Sequence, residues 1–282
     1  MAVLGTMNTL QVIRQVEFGV YLDGDQYGDI LLPNREMPKD AEVELEDWLN
    51  VFIYLDSEDR VIATTRKPKA QVGEFASLKV VDINRVGLFL DWGLSKDLLL
   101  PHSEEKKPLQ VDDYVVVYVY QDERTGRLVA TAHLDSFLQD TAEADTYAKG
   151  QAVSVLIAER TDLGYKAIID KTYWGLIHNN EVFKFIRPGM QETAYIREIR
   201  EDGRISLSLQ PQGAEMRDEL AERILQAIDA AGGRLALSDK SPAAEIAEAF
   251  GVSKGNFKKA LGGLYKQQLI SIYPTYIERT DS

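Results

Sequence analysis

The sequence predicts a multidomain, mainly β protein in which three tandem small barrels precede an α+β domain. Three observations support this prediction. A β-hairpin pattern occurs three times, glycines keep nearly the same register in each copy, and residues 211–282 change to helical periodicity. A chain of 282 residues has room for about two average domains, and the repeat raises that expectation to four small ones.

The repeat is clearest in the hairpin that closes each copy. Residues 51–65, 116–131 and 193–208 each carry a run of β-forming residues, a turn rich in Asp, Glu or Gly, and an arginine that leads a second alternating run. This pattern is typical of a β-hairpin. The landmarks are the arginines Arg60, Arg127 and Arg204, offset by 67 and 77, and the glycine sets Gly19, Gly87, Gly164 and Gly5, Gly73, Gly150, offset by 68 and 77.

Each copy holds about five predicted strands. In the second copy they are the runs 72–83, 86–92 and 97–101 and the pair of strands that flanks residues 123–126. Period-two alternation without a long helix favours a small closed barrel, and five strands in roughly 65 residues is the size of an OB-fold. We therefore expect OB-fold barrels over 1–68, 69–140 and 141–210.

Helical periodicity begins after the third barrel. An apolar residue recurs at every fourth position, in the order Met216, Leu220, Ile224 and Ile228. Gly232-Gly233 follows this run, so the pattern predicts an amphipathic helix with a glycine stop. The predicted linker to this region is Gln210-Pro211-Gln212-Gly213.

Two shorter helices follow in the sequence. Ser241 is the predicted N-cap of the second helix, with Pro242 at its first position and Gly251 at its end. Ser253 is the predicted N-cap of the third helix, whose buried stripe consists of Phe257, Ala260, Leu261 and Leu264. Short strands near 269–272 and 276–277 then complete a winged helix-turn-helix domain over 211–282.

Charge and composition exclude several classes of protein. The formal net charge of −13 argues against a protein that coats duplex DNA through bulk positive charge. The absence of cysteine excludes disulfides and thiolate chemistry, and no apolar run is long enough for a membrane span, so we expect a cytoplasmic protein. Acidity declines along the chain, with net charges of −7, −4, −1 and −1 in the four predicted domains.

Two segments resemble a known family. Residues 175–181, followed by Arg187-Pro188-Gly189 and residues 196–205, resemble an S1 RNA-binding domain, and residues 238–242 and 253–266 are more specific still. Together they are similar to the bacterial conserved virulence factor B (CvfB, or YitL-like) family. The resemblance implies three S1-like barrels, a C-terminal winged helix, RNA binding, post-transcriptional regulation and no catalytic activity.

The predicted RNA contacts on the barrels are aromatic residues and one histidine. Phe18, Tyr21 and Phe89 lie in or beside predicted strands, where an aromatic ring either stacks on a base or packs in the core. Trp174, beside Gly175, is favoured as structural. In the S1 pattern the third strand ends in His, which the repeat offsets place at His178, whereas the equivalent positions in the other copies are Pro33 and Pro101.

The predicted contacts on the winged helix are four lysines, Lys254, Lys258, Lys259 and Lys266. No acidic residue occurs between Ala249 and Ile277. Helical spacing places Lys259 and Lys266, with two glycines, opposite the buried stripe, where they can either contact phosphates or form an ordinary solvated face.

Two functions remain open from the sequence. The first is an RNA-binding regulator that grips single-stranded RNA, with possible DNA or protein contact through the winged helix. The second is a scaffold whose acidic barrels dock on ribosomal or transcription components. The three histidines do not pair at metal-ligand spacing and no phosphate-binding glycine loop is present, so we expect no enzyme activity, metal or cofactor.

Overall fold

The computed structural model describes residues 1–37, 43–211 and 214–280, without the side chains of 214–216. These residues form two compact units, Met1–Phe137 and Leu138–Ser282. Met216 and the linker residues Gln212 and Gly213 lie outside the part whose side chains are described. Among the described residues, no helix is long and apolar enough to cross a membrane.

The first unit contains two closed five-stranded barrels, as predicted. The strands of the first barrel are β1 (Met7–Val16), β2 (Gly19–Asp23), β3 (Asp29–Pro33), β4 (Trp48–Leu55) and β5 (Val61–Thr64). Those of the second are β6 (Phe75–Asn84), β7 (Gly87–Asp91), β8 (Leu98–Pro101), β9 (Tyr114–Gln121) and β10 (Leu128–Thr131). In both barrels the third and fifth strands pair in parallel, and the other neighbouring strands pair antiparallel.

The second unit begins with a third barrel of the same topology. Its strands are β11 (Ala152–Thr161), β12 (Gly164–Ile169), β13 (Tyr173–His178), β14 (Gln191–Ile199) and β15 (Ile205–Ser208). The three barrels confirm the predicted mainly β architecture, because each repeated hairpin closes a barrel. The arginine landmarks lie at the hairpin closures, where the carbonyls of Arg60, Arg127 and Arg204 accept backbone hydrogen bonds across the turn.

One glycine in each barrel makes room for a close approach between strands. A Cβ on Gly19, Gly87 or Gly164 would lie 2.0–2.3 Å from a carbonyl oxygen near the end of the barrel's third strand. No side chain tolerates that distance, so the start of the second strand can meet the third only through glycine. This constraint explains why the glycine register is repeated.

Each barrel of the first unit has its own apolar core, and Phe52, Tyr54 and Ile62 of the first barrel pack into the core of the second. The Trp92 ring of the second barrel meets the edge of Phe52 in the first, with ring centroids 5.5 Å apart. Its indole N–H donates to the Lys96 carbonyl at 2.6 Å. The Lys96 ammonium in turn donates to the carbonyls of Leu55 and Asp56 in the first barrel, at 3.0 and 2.6 Å. These contacts fix the two barrels to each other.

The winged-helix domain completes the second unit. Its elements are α1 (Ala214–Ala230), β16 (Arg234–Leu235), α2 (Ala243–Phe250), α3 (Lys254–Lys266), β17 (Ile270–Ile272) and β18 (Ile277–Arg279). The predicted hairpin is confirmed, and the short strand β16 adds a third strand to its sheet.

The helix caps agree with the sequence except at one position. Ser253 caps α3 by accepting the Asn256 N–H at 3.3 Å, and Gly251 ends α2 in the left-handed region. The prediction for Ser241 was wrong by one residue, because Pro242 occupies the N-cap of α2. The Ser241 hydroxyl instead accepts the Ser238 N–H at 2.9 Å, which closes a turn before the helix.

Gln210 joins the third barrel to the winged-helix domain. It was predicted as the first residue of a linker, yet its side chain is buried. Its amide donates to the Gly251 carbonyl at 2.8 Å, and its side-chain oxygen accepts from the Asn256 amide at 2.8 Å and from the Ser253 N–H at 3.3 Å. A satisfied buried amide of this kind fixes the geometry between the two parts of the second unit.

Substituting Gly164 with alanine is expected to destabilise the third barrel by roughly 1–3 kcal/mol or more, because the new methyl group would overlap the Ile177 carbonyl. Hydrogen exchange of the β12 and β13 amides measures this loss. Gly262→Ala is the matched control, since a Cβ there meets nothing within 4 Å and alanine favours a helix. Equal protection in Gly164→Ala and the parent chain would contradict the close-approach argument.

Candidate nucleic-acid interface

The middle of the second strand presents an equivalent residue on the outer face of each barrel. Strand register places Tyr21 opposite Arg14 and Leu31, Phe89 opposite Asp82 and Leu99, and Lys166 opposite Glu159 and Leu176. All three are half-buried, with fully buried residues on one or both sides. The structure therefore places the two predicted aromatics at one shared position, which is occupied by lysine in the third barrel.

The surroundings of this position differ between the barrels. In the first, the Arg14 guanidinium lies 4.2 Å from the centre of the Tyr21 ring and bonds Asp29 at 2.9 Å. In the third, the Lys166 ammonium lies 4.0 Å from the centre of the Trp174 ring. Among the described residues, no cation and no second ring lies over Phe89. Phe89 is thus the aromatic of this set over which no cation or second ring lies among the described residues.

The turn before the second strand exposes an apolar side chain in every barrel. The residues are Phe18, Val86 and Leu163, which are 57%, 51% and 67% exposed. Their backbone carbonyls accept hydrogen bonds from the residues that follow the third strand, Asn34, His102 and Asn179. Phe18 therefore lies on a braced turn at the barrel rim and not in the core.

Side chains brace the same turn a second time. The amides of Asn34 and Asn179 donate to the carbonyls of Glu17 and Asp162 at 2.9 and 2.7 Å. In the second barrel the His102 ring does this through Nε2, which donates to the Asn84 carbonyl at 2.7 Å. His102 Nδ1 also pairs with the Glu105 carboxylate.

His178 is the last residue of β13, where it pairs with Gly164 and is half-exposed. The 3₁₀ turn Asn179–Glu181 follows it directly. Within this turn Glu181 is buried and accepts hydrogen bonds from the Ser208 hydroxyl at 3.0 Å and from Arg197 at 3.1 Å. The imidazole therefore lies at a rigid rim of the third barrel.

Trp174 is buried on the outer face of the third barrel, on the same side of the sheet as Lys166. Its side chain is 7% exposed, and the neighbouring Gly175 lies within β13 and not in a turn. Gly175 makes room for Leu207, whose Cδ1 would lie 2.6 Å from a Cβ at this position. The Trp174 ring is packed under the Lys166 ammonium, which lies 4.0 Å from its centre.

The four lysines of α3 have different surroundings. Lys254 donates to the Lys240 carbonyl at 3.2 Å, and the Lys258 ammonium lies 3.7 Å from Asp239. Lys259 and Lys266 are exposed on the side of α3 opposite its buried stripe. Gly262 lies between them in sequence, and a Cβ there would meet no atom within 4 Å. Lys259, Gly262 and Lys266 form an open cationic strip, which we call the α3 strip.

Helix α3 also contacts the third barrel. It lies beside the 3₁₀ turn Asn179–Glu181, which directly follows His178. Asn256 at the start of the helix is held by Gln210 from the end of the same barrel. The structure therefore brings His178 and α3, both predicted from the sequence, into one region of the second unit.

Several exposed aromatics were not predicted as site residues. Trp48 and Tyr114 begin the fourth strands of the first two barrels, at equivalent register positions, and are 65% and 55% exposed. Phe185 in the third barrel is 77% exposed, and Tyr265 on α3 is 59% exposed. The strand register, which the sequence does not specify, is what reveals that Trp48 and Tyr114 match.

In the described part of the chain, no group of three or more His, Cys, Asp or Glu side chains is arranged to hold a metal ion. The outer-face strand residues and the braced turns recur in the three barrels, and the α3 strip is added once by the winged-helix domain. They define a protein of the class that combines S1 barrels with a winged helix. Family models agree: the S1 domain model matches residues 4–66 and 72–133, and the CvfB-like winged helix domain model matches residues 222–278.

The chain belongs to the family of YitL and conserved virulence factor B. It is 35% identical over 272 residues to the uncharacterized protein YitL of Bacillus subtilis (strain 168), covering 93% of this chain and 89% of YitL. It is 27% identical over 288 residues to conserved virulence factor B of Staphylococcus aureus (strain USA300), covering 96% and 92%.

A solved structure from Streptococcus pneumoniae TIGR4 is also similar. It is described as a multidomain protein with nucleic acid binding domains, and it aligns over 98% of both chains at 25% identity with a TM-score of 0.44.

The brace at His102 is expected to depend on pH. Its hydrogen bond to the Asn84 carbonyl and its pairing with Glu105 raise the pKa of His102 above its usual value near 6.5. A raised folded-state pKa means that the stabilisation is fully present below about pH 6.5 and is lost as the pH rises through the folded-state value. A proton NMR titration of the His102 ring measures the pKa directly.

His102→Asn is the matched variant for this prediction, because asparagine occupies the equivalent position in the other two barrels. We expect it to keep the brace and to remove the pH dependence of the hydrogen-exchange protection factors in the β6–β7 turn. A His102 pKa at or below the usual value would contradict the prediction.

Proposed function

We propose that this protein binds single-stranded RNA and acts as a post-transcriptional regulator without catalytic activity. The observation that carries this proposal is the α3 strip, on a helix that contacts the third barrel, in the least acidic half of the chain. The S1 and winged-helix family matches support nucleic-acid binding as the general activity. We further propose that 1–68, 69–140, 141–210 and 211–282 are the functional domains, and that the protein works in the cytoplasm.

The second unit supplies both kinds of contact that RNA binding needs. Lys259 and Lys266 offer cationic groups for phosphates, with Lys254 and Lys258 next to them on the same helix. His178 offers an imidazole that can stack on a base or bond its edge. Phosphate contacts position a strand and base contacts select it, so this division fits a binder with selectivity.

Gly262 gives the α3 strip a further property. A helix interior disfavours glycine by about 1 kcal/mol relative to alanine, so a glycine without a packing reason is unusual there. No neighbouring atom requires it, since the space beside its Cα is open. Close approach of a phosphate backbone to the helix explains the missing side chain.

A second function is supported by the first unit. Its two barrels carry most of the net negative charge, and Trp48 and Tyr114 are exposed on them at equivalent positions. An acidic surface with exposed aromatics suits a basic protein partner better than a polyanion. We propose docking on a ribosomal or transcription component as the alternative role of this unit, and DNA or protein as alternative partners of the winged helix.

Removing both exposed charges of the α3 strip is expected to weaken RNA binding and its salt dependence together. Each phosphate contact with a single strand contributes about 0.7 to the slope of log affinity against log salt, so Lys259→Gln/Lys266→Gln is expected to lower the slope by about 1.4. Titrations of an unstructured RNA by mobility shift at several salt concentrations measure it, with duplex DNA in parallel.

Lys149→Gln is the control for this titration, because Lys149 is an exposed lysine of the third-barrel region and does not belong to α3. An unchanged slope in the α3 variant would exclude phosphate contacts by these two lysines. Proteins from a nuclease-treated lysate that still bind the first unit would favour the docking alternative.

Gly262→Ala separates a structural role of this glycine from a role in binding. The substitution is expected to stabilise the winged-helix domain by about 0.5–1 kcal/mol, because alanine is the better helix former and meets no neighbour. RNA affinity is expected to fall in the same protein, because the methyl group stands where the phosphate backbone approaches. Urea unfolding and the RNA titration measure the two effects, and higher stability with unchanged affinity would contradict the proposal.

A further inference from the structure

A small polar pocket lies on the first barrel, where β1 pairs with β4. Its volume is about 240 Å³, and Trp48, which is 65% exposed, forms part of its wall. Gln11 on β1 and the carboxylates of Asp23 and Asp25, at and just after the end of β2, also line it. Sites for whole small molecules usually measure roughly 300–1,000 Å³, so this pocket suits a single side chain.

The charged groups of the pocket are negative. Among the described residues that line it, none is a lysine or an arginine. Asp25 is already engaged, because it accepts the Ala2 N–H at 2.8 Å and lies 3.2 Å from the Met1 amino group. In the described part of the chain, Asp23 accepts the Asp25 N–H at 3.1 Å and has no cationic partner. An exposed indole and an unpaired carboxylate in one pocket both attract a cation.

The equivalent position of the second barrel holds a lysine of the same chain. Gln11 lies opposite Trp48 in the register of β1 and β4. The corresponding pair on β6 and β9 is Lys79 and Tyr114. The Lys79 ammonium pairs with the Asp112 carboxylate at 2.6 Å. The second barrel therefore has an ammonium side chain across from its exposed ring, whereas the first barrel has a neutral amide there.

The carboxylate of this position is also paired in the second barrel. Asp91 lies opposite Lys79 in the register of β6 and β7, and the Lys69 ammonium bonds it at 2.6 Å. The repeat offset of 68 places Asp23 at the position of Asp91. The same offset places Gln11 at the position of Lys79. The first barrel thus has the ring and the carboxylate of this arrangement without its lysine side chains.

We propose that the pocket beside Trp48 takes one lysine side chain from a basic segment of a protein partner, with the ammonium over the indole and paired with Asp23. This inference rests on the docking role proposed for the first unit, names its contact site and does not depend on RNA binding. Charge complementarity favours this partner, because residues 1–68 carry a net charge of −7, which attracts a basic segment and repels a polyanion.

Trp48 reports the occupancy of the pocket through its own fluorescence. The chain has three tryptophans, and the other two, Trp92 and Trp174, are only 2% and 7% exposed. A terminally blocked peptide of lysines separated by glycine and serine is therefore expected to protect the full-length chain from acrylamide quenching. The same peptide with glutamine in place of lysine is expected to give no protection. Equal quenching with and without the lysine peptide overturns the inference.

The ring and the carboxylate are tested by calorimetric titration of the same peptide. Trp48→Ala is expected to weaken binding about 2- to 30-fold, the range for losing one cation–π contact. Asp23→Asn is expected to weaken binding and to reduce its salt dependence, because one charge pair is lost. Tyr114→Ala is the matched control, since it removes an exposed ring whose position already has Lys79, and it is expected to leave the affinity unchanged.

A lysine built into the pocket provides the sharpest test. Gln11→Lys places an ammonium where the second barrel has Lys79, and it is expected to weaken peptide binding at least as much as Trp48→Ala. Gln15→Lys is the control, because it adds the same charge to β1 outside the pocket. Gln15 also donates its side-chain amide to a carbonyl, as Gln11 does. Equal weakening by the two lysine variants would indicate a general charge effect and overturn the inference.

The outcomes separate this inference from the functions on which it builds. If the lysine peptide and proteins of a nuclease-treated lysate bind Gln11→Lys as they bind the wild type, the inference is overturned and the docking role remains. If the wild type retains no protein from that lysate, the docking role is overturned as well. Protection of Trp48 by an unstructured RNA and not by the peptide would assign the pocket to nucleic acid and also overturn the inference.

Discussion

The close approach between the second and third strands is the constraint on which each barrel depends. A carbonyl of the third strand occupies the space that a Cβ would need at Gly19, Gly87 and Gly164. This contact places the preceding turn against the end of the third strand, where Asn34, His102 and Asn179 then hold it. The exposed apolar residue of that turn and the outer-face residue two positions after the glycine are both positioned by it. A surface useful for binding is therefore a consequence of how the barrel closes.

Much of the fold could be predicted from the sequence, because its signals are local and repeated. Alternation marks the strands, and glycine offsets mark equivalent turns. The cap of α3 at Ser253 follows from residue type. Ser241 shows the limit of such rules, since a hydroxyl next to Pro242 can bond the preceding turn as easily as the helix. Gln210 could not be assigned either, because its partners lie more than 40 residues further along the chain.

The candidate site was predictable in its residue types but not in its surroundings. Tyr21 and Phe89 occupy the same position, as the repeat offsets require. The two rings differ in the residue on the neighbouring strand. Arg14 lies over the Tyr21 ring, whereas Asp82 occupies the equivalent position beside Phe89. Likewise the sequence lists four lysines on α3 without showing that two have acceptors and two are exposed. Such distinctions depend on strand register and tertiary neighbours, which one-dimensional patterns do not contain.

The buried amide of Gln210 has a consequence for the order in which the chain is completed. During synthesis the end of β15 leaves the ribosome well before Gly251 and Asn256. The Gln210 side chain therefore cannot form these hydrogen bonds until α3 has emerged. The third barrel is therefore finished only by residues of the following domain. Truncation or recombination between the third barrel and the winged-helix domain would leave the buried amide of Gln210 without its hydrogen-bond partners. This cost favours inheritance of the two domains together.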